Sequence, residues 1–135
     1  MITLYKNKLI ELANKLDKED VAVETAKNGV NHLCGDTISL LETYKKGTID
    51  TLRINANGCT LHLASSALLK NISYRKSIRE LTEIFDKFQK YAKGEANKCP
   101  IEFMIFKAIN EYPARHRCVF LSWQTLLNGN NTKNS

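Results

Sequence analysis

The chain has 135 residues, of which 43% are hydrophobic, enough apolar material for one globular domain with a single core. Its formal net charge is +6. The lysines are scattered along the chain and do not form a basic segment with interspersed aromatic residues, which argues against a nucleic-acid-binding protein. No apolar run is long enough to cross a membrane and no signal-peptide pattern is present, so we expect a cytoplasmic protein without a membrane partner.

The first half of the chain predicts one helix followed by strands. Apolar periodicity indicates a helix over about residues 4–16 and a weak strand near 21–25. Residues 36–44 and 49–56 are rich in β-branched side chains and predict a hairpin, with a three-residue loop at 45–47. The fold should therefore include a small antiparallel sheet of about three strands.

The hairpin register predicts a cluster of reactive side chains. If Tyr44 pairs with Thr48, the apolar residues of both strands share one face. The same register brings Cys34, Asp36 and Cys59 together at the open end of the hairpin. This convergence needs no long-range assumption.

The second half of the chain predicts helices. One follows Cys59, a second begins at the capping box of Ser77 and Glu80 and ends at Gly94, and a short one follows Pro113. A further helix should begin at Pro100, with four residues inward: Ile101, Met104, Ile105 and Ala108. We predict an α+β fold with helices packed against one sheet face, a single domain over 1–127 and a polar, disordered tail over 128–135.

Three cysteines and one aspartate carry the only chemistry that the sequence suggests. Cys34, Asp36, Cys59 and Cys118 come from three separated segments and match the donors of a tetrahedral zinc or iron–sulfur site. Cys118 lies at a helix start beside cationic residues, which should favour its thiolate. Spacing alone does not establish it as the fourth ligand.

The other cysteine and two of the histidines are not interpreted as ligands of this site. Cys99 has no partner nearby in sequence and is interpreted as structural. His62 could reach the site from the helix after Cys59, but we interpret it as solvent-facing, and His116 as part of a basic rim.

Three segments of the chain resemble the signature blocks of a known superfamily. They are Asn-His-Leu-Cys-Gly-Asp at 31–36, Asn-Gly-Cys-Thr-Leu-His-Leu-Ala-Ser-Ser at 57–66 and Pro-Ala-Arg-His-Arg-Cys-Val-Phe-Leu-Ser-Trp at 113–123. Their order and content are similar to those of the IscU/NifU/SufU superfamily of iron–sulfur cluster assembly proteins. Arg117, where scaffolds of the IscU type carry histidine, makes the SufU branch the closer resemblance. His32 stands where the family usually has proline, which adds a potential metal or proton ligand beside the site.

The resemblance implies a function and roles for the four candidate residues. In SufU-like proteins the match of Cys34 accepts persulfide sulfur from a cysteine desulfurase of the SufS type, and the matches of Asp36, Cys59 and Cys118 complete a zinc site with it. On this interpretation the protein is a zinc-dependent sulfurtransferase that serves downstream cluster-assembly proteins. Two alternatives remain: an iron–sulfur cluster scaffold that uses the same residues, and a zinc site with a purely structural role.

Overall fold

The protein folds as a three-stranded antiparallel sheet with helices packed against it, which confirms the predicted α+β class. The computed structural model describes residues 3–128, with side chains from residue 6 onward except that of residue 108. Apart from Asn128, the predicted disordered tail lies outside the described residues. In chain order the elements are α1 (Thr3–Asn14), β1 (Lys27–Asn31), β2 (Asp36–Lys45), β3 (Thr48–Asn57), α2 (Thr60–Ser73), α3 (Ile78–Ala92), two 3₁₀ segments (Ile101–Glu111 and Pro113–Arg115) and α4 (His116–Leu127).

The hairpin between β2 and β3 has a tighter turn than predicted. Lys45 pairs with Thr48, and the two residues between them, Lys46 and Gly47, both have positive φ (55° and 80°). This is the conformation of a type I′ turn, whose twist matches that of the strands it connects. The predicted three-residue loop with Tyr44 opposite Thr48 is therefore wrong.

The strand pairing is displaced by two residues from the predicted one. With a β-bulge between Thr43 and Tyr44, Leu40 pairs with Ile54 and Ile38 with Ala56. A shift of two residues keeps every side chain on its original face, because side chains alternate with a period of two. The shared apolar face is confirmed, since all four of these paired residues are buried.

The first strand lies later in the chain than predicted. Residues 21–25 form no strand, and Val23 is 60% exposed. β1 instead occupies Lys27–Asn31, a segment of low β-propensity that pairs with β2 along its whole length. At Gly29 a Cβ atom would lie 2.2 Å from Thr125 Oγ1 of α4, so the helix sits directly on the strand. Pairing and packing, rather than residue type, determine this strand.

The core lies between the sheet and the helices and contains an aromatic cluster. Its rings come from α3, the first 3₁₀ segment and α4: Phe85, Phe88, Phe103, Phe106, Phe120 and Trp123. Aromatic pairs at these separations stabilise a core beyond their buried area. The capping box of Ser77 and Glu80 at the start of α3 is confirmed.

The segment after Pro100 buries a different face from the predicted one. It is a 3₁₀ helix, in which side chains repeat every three residues, and it buries Phe103, Phe106 and Ile109. The predicted inward positions are wrong for Ile101, which is 77% exposed, and for Met104. Ile105 is half-buried, and the predicted inward Ala108 has a side chain outside the described residues. Across residues 3–128, no helix combines the length and apolar character needed to cross a membrane.

Candidate metal centre

Three segments bring Cys34, Asp36 and Cys118 together. Cys34 is exposed in the turn between β1 and β2, Asp36 is the fully buried first residue of β2, and Cys118 is buried in the first turn of α4. Their three ligand atoms all lie within 4.8 Å of one another. The two sulfur atoms, Cys34 Sγ and Cys118 Sγ, are 3.2 Å apart. The long-range contact that sequence spacing left open is therefore present.

Cys59 lies at the border of this group. It precedes α2 as the N-cap residue, and its Sγ is 3.9 Å from Asp36 Oδ2. Its backbone N–H donates a hydrogen bond of 2.9 Å to Asp36 Oδ1. The start of α2 is thus fixed to the carboxylate, and the Cys59 thiol is half-buried beside it.

The electrostatics of the two buried donors differ. Burial opposes ionisation of Asp36, but hydrogen bonds, above all from the Cys59 N–H, lower its pKa. Burial, together with the hydrogen-bonded Cys34 thiol, raises the pKa of the Cys118 thiol. The predicted preference for a thiolate at this helix start is therefore wrong for the metal-free protein. A thiol in such surroundings loses its proton when it coordinates a metal ion.

The donor set fits a tetrahedral zinc ion. Zinc–sulfur bonds of about 2.3 Å place the thiolates of a tetrahedral site about 3.8 Å apart. The sulfur separation of 3.2 Å and the 4.8 Å limit of the group bracket this distance. The thiols of Cys34 and Cys118 and the Asp36 carboxylate are therefore close enough to share one ion, and the Cys59 sulfur lies beside that carboxylate.

Sequence reasoning missed the role of Asn31. Its side chain is 5% exposed, and its Nδ2 lies 3.3 Å from Asp36 Oδ2 and 3.5 Å from Cys118 Sγ. In the sheet, Asn31 is the direct partner of Asp36. A correct prediction of β1 would have revealed this contact, because a strand that ends at Asn31 pairs it with Asp36.

The solvent-facing interpretation of His62 is wrong. The side chain is fully buried, with its Nε2 2.9 Å from the carbonyl oxygen of Thr37. Its Nδ1 has no hydrogen-bond partner among the described residues, and burial lowers the pKa of the ring. The histidine faces inward because α2 packs this side against the sheet and α4.

The remaining histidines and Cys99 are not among the three clustered ligand residues. His32 is exposed in the turn that carries Cys34. His116 is half-buried between the exposed Arg115 and Arg117, with its Nε2 3.0 Å from the Ile109 carbonyl oxygen. Cys99 is half-buried and packs against the core.

In sequence the chain is similar to proteins named IscU and SufU. It is 29% identical over 99 residues to the iron–sulfur cluster assembly scaffold protein IscU of Streptococcus pyogenes, covering 71% of the chain and 62% of that relative's length. It is 27% identical over 132 residues to the protein of the same name from Thermotoga maritima, covering 91% and 89%. The zinc-dependent sulfurtransferase SufU of Bacillus subtilis is 24% identical over 102 residues, covering 73% and 69%. A scan against protein-family models gave no match.

Solved structures share the fold. The N-terminal part of a NifU-like protein from Brucella abortus superposes with a TM-score of 0.76 at 19% identity, covering 92% of this chain and 90% of the other. A putative scaffold protein for the SUF system from Fervidobacterium islandicum gives 0.76 at 20% identity, covering 87% and 90%. Fold, site geometry and sequence together define an α+β protein with a Cys/Asp centre. In sequence the chain is similar to proteins named IscU and SufU, which supports the resemblance to the IscU/NifU/SufU superfamily that the three sequence blocks indicated.

Proposed function

We propose that this chain acts in iron–sulfur cluster assembly as a zinc-dependent sulfur acceptor that takes persulfide sulfur from a cysteine desulfurase. Cys34, Asp36, Cys59 and Cys118 would hold the zinc ion. Two of the relatives are named iron–sulfur cluster assembly scaffold proteins, which supports a part in cluster assembly. A third is named a zinc-dependent sulfurtransferase. The observation that carries the proposal is the unequal exposure of the three thiols: Cys34 is exposed, Cys59 is half-buried and Cys118 is buried.

This difference in exposure supports Cys34 as the acceptor. It lies in a turn outside the strands, whereas Cys118 is fixed within α4 and Cys59 at the start of α2. A persulfide carried by a partner enzyme can approach only a thiol at the surface. Cys34 is therefore the ligand that can leave the site with the least disturbance of the fold.

The proposed transfer is an exchange between sulfur atoms. The Cys34 thiolate attacks the outer sulfur of the enzyme's persulfide, the bond between the two sulfur atoms of that persulfide breaks, and the enzyme's cysteine leaves as a thiolate. Cys34 then carries the persulfide, and no external oxidant or reductant is needed. Bound zinc would supply one effect, which is to hold its cysteine ligands deprotonated at neutral pH. Asp36 and Cys118 would keep the site together while Cys34 reacts.

A single-turnover experiment tests this assignment. The protein is mixed with a cysteine desulfurase of the SufS type and cysteine, and peptides are analysed by mass spectrometry under non-reducing conditions. We expect one added sulfur on Cys34, none in Cys34→Ser, and normal transfer to the control Cys99→Ser. Sulfur on Cys118 instead of Cys34, or equal transfer to Cys34→Ser, would show that the acceptor assignment is wrong.

A second candidate function is an iron–sulfur cluster scaffold. It is favoured by the names of the Streptococcus and Thermotoga relatives. Metal content and the absorption spectrum of protein purified without added iron separate the two candidates. About one zinc per chain and no visible absorption would support the sulfur acceptor. Iron with visible absorption that is lost in Cys59→Ser would support the scaffold.

A further inference from the structure

The amide of Asn31 has only one possible orientation. Its Oδ1 lies 3.3 Å from the backbone nitrogen of Leu33, and a backbone N–H can only donate. The atom that faces Leu33 is therefore the oxygen. Consequently the amide nitrogen, with its two hydrogens, faces the metal centre.

These two hydrogens have two acceptors in the centre. Nδ2 lies 3.3 Å from Asp36 Oδ2 and 3.5 Å from Cys118 Sγ. With the Cys59 N–H on Oδ1, both oxygens of the Asp36 carboxylate accept a hydrogen bond from the protein. The carboxylate is thus held in one orientation before any metal binds.

Asn31 also shapes the turn that carries Cys34. Its Oδ1 accepts from the Leu33 N–H, and its backbone oxygen accepts from the Gly35 N–H at 2.8 Å. The side-chain bond to the residue two positions later is an Asx-turn. One buried residue therefore contacts two of the four proposed ligands, Asp36 and Cys118, directly, and shapes the turn that carries a third, Cys34.

We infer that Asn31 is a positioning residue of the metal centre, whose amide N–H groups orient Asp36 and hydrogen-bond to the sulfur of Cys118. This inference rests on the proposed function, because it requires that the centre binds a metal ion. A hydrogen bond to a coordinated thiolate withdraws charge from the sulfur, and an oriented carboxylate needs no reorganisation on binding. Loss of such outer contacts typically weakens metal binding about 10–100-fold.

Two substitutions separate the donor from the turn. Asn31→Ala removes both the amide donor and the acceptor of the Asx-turn. Asn31→Ser keeps a hydroxyl that can accept from the Leu33 N–H, but its side chain is too short to reach Asp36 and Cys118. Asn28→Ala is the matched control, because Asn28 lies on the same strand and bonds to Val23, Ala26 and Ser39, outside the centre.

Cobalt(II) serves as the probe, because its visible spectrum reports directly on the ligands. We expect Asn31→Ala and Asn31→Ser both to bind cobalt at least about tenfold more weakly than the unchanged protein. Both should also show shifted cobalt–thiolate bands and faster transfer of zinc to a chelator. Asn28→Ala should retain the band positions and the exchange rate even if its melting temperature falls.

The outcomes separate this inference from the proposed function. If Asn31→Ala keeps the cobalt affinity, band positions and exchange rate of the unchanged protein, the positioning role is wrong while the metal centre stands. If Asn31→Ser restores all three, Asn31 acts only through the turn, and the role of its amide donor is again wrong. If the unchanged protein binds neither cobalt nor zinc, both the metal centre and the role of Asn31 fail.

Discussion

Gly58 and Asp36 are in such close contact that residue 58 cannot carry a side chain in this conformation. A Cβ atom there would lie 2.1 Å from Asp36 Oδ1 and 2.9 Å from Asp36 Cα, and the φ of Gly58 is +143°. This approach is what lets the next residue, Cys59, donate its N–H to the carboxylate. The glycine before the second cysteine is therefore part of how the site is built.

We predict that Gly58→Ala weakens metal binding and destabilises the fold. The added methyl must displace Asp36, and the backbone conformation is strained for alanine, so we expect a loss of about 1–3 kcal/mol in the free energy of unfolding. Metal affinity should fall about tenfold or more. Chemical denaturation and cobalt titration measure the two effects.

Gly47→Ala is the control for this prediction. Gly47 also has a positive φ, of 80°, but a Cβ there would meet nothing within 4 Å. We expect a cost of about 1–2 kcal/mol from the left-handed conformation and an unchanged metal affinity. Equal loss of metal affinity in the two variants would contradict the steric explanation.

We predict that metal removal lowers the melting temperature without unfolding the protein. The proposed ligands connect the β1–β2 turn and the starts of α2 and α4, so an ion would tie these elements together. Structural zinc contributes about 10 kcal/mol or more in small peptides that lack a core, but this chain has a core of its own and should lose less. Circular dichroism before and after chelation gives both the melting curve and the helix content. An unchanged melting curve after verified removal would refute the prediction.

Local chemistry in the sequence was sufficient to predict much of the sheet and the site. Alternating β-branched residues indicate the hairpin. The predicted register is wrong by two residues, and a shift of two leaves Ile38 and Leu40 on the same buried face of the sheet. At the end of the hairpin where β2 begins and β3 ends, the ligand atoms of Cys34 and Asp36 lie within 4.8 Å of each other, and the Cys59 sulfur lies 3.9 Å from Asp36 Oδ2. Only the approach of Cys118 required the tertiary fold, since α4 reaches the site by packing on β1 and β2.

The failures have a common cause, which is that tertiary packing overrode local preference. β1 has a poor strand sequence and is defined by its pairing with β2. The segment after Pro100 became a 3₁₀ helix, and this changed the repeat that selects Phe103 and Phe106 as buried residues. His62 is buried by two neighbouring elements that lie 25 or more residues away in the chain, at Thr37 and in α4. No pattern within its own helix reports that environment.

Ser65 is predicted to stabilise the contact between α2 and α4. Its hydroxyl donates to the Val119 carbonyl oxygen at 2.5 Å and accepts from Trp123 Nε1 at 3.1 Å. Ser65→Ala leaves the buried indole N–H without this acceptor, so we expect a loss of about 1–3 kcal/mol in unfolding free energy. Urea denaturation measures it.

The adjacent Ser66 provides the matched control. Its hydroxyl donates to the His62 carbonyl oxygen within the same helix, at 2.8 Å. This hydrogen bond is made to a carbonyl oxygen of the same helix and does not join α2 to another element. Ser66→Ala should therefore lower the free energy of unfolding less than Ser65→Ala does. An equal or larger cost for Ser66→Ala would contradict the bridging role of Ser65.

Glu19 is predicted to make stability depend on acid pH. Burial opposes its charge, but the hydrogen bonds from Lys70 and from the Ile54 N–H lower its pKa below the ordinary 4.5. A lowered pKa means that the stabilisation is fully present above about pH 4.5 and is lost as the pH falls through the folded-state pKa. Glu19→Gln should therefore be less stable than the unchanged protein at pH 7, and the difference should shrink below pH 4.5.

Denaturation at several pH values tests this prediction against a surface pair. Glu83 forms an ion pair with Arg79 that is largely exposed, so Glu83→Gln should change stability little at any pH. A difference between Glu19→Gln and the unchanged protein that stays constant from pH 7 to pH 3 would show that the Glu19 charge is not responsible.

The missing side chain of Gly29 sets the thickness of the layer between α4 and the sheet. A Cβ atom there would meet Thr125 Oγ1, Leu121 Cδ1 and Ile38 Cγ2 at 2.2, 3.2 and 3.3 Å. Even one methyl group would lift the helix away from β1, and α4 is the element that carries Cys118. The distance between a sulfur atom on the helix and a carboxylate on the sheet thus depends on a residue that touches neither. The spacing between the candidate ligands therefore depends on how closely α4 packs against the sheet at Gly29.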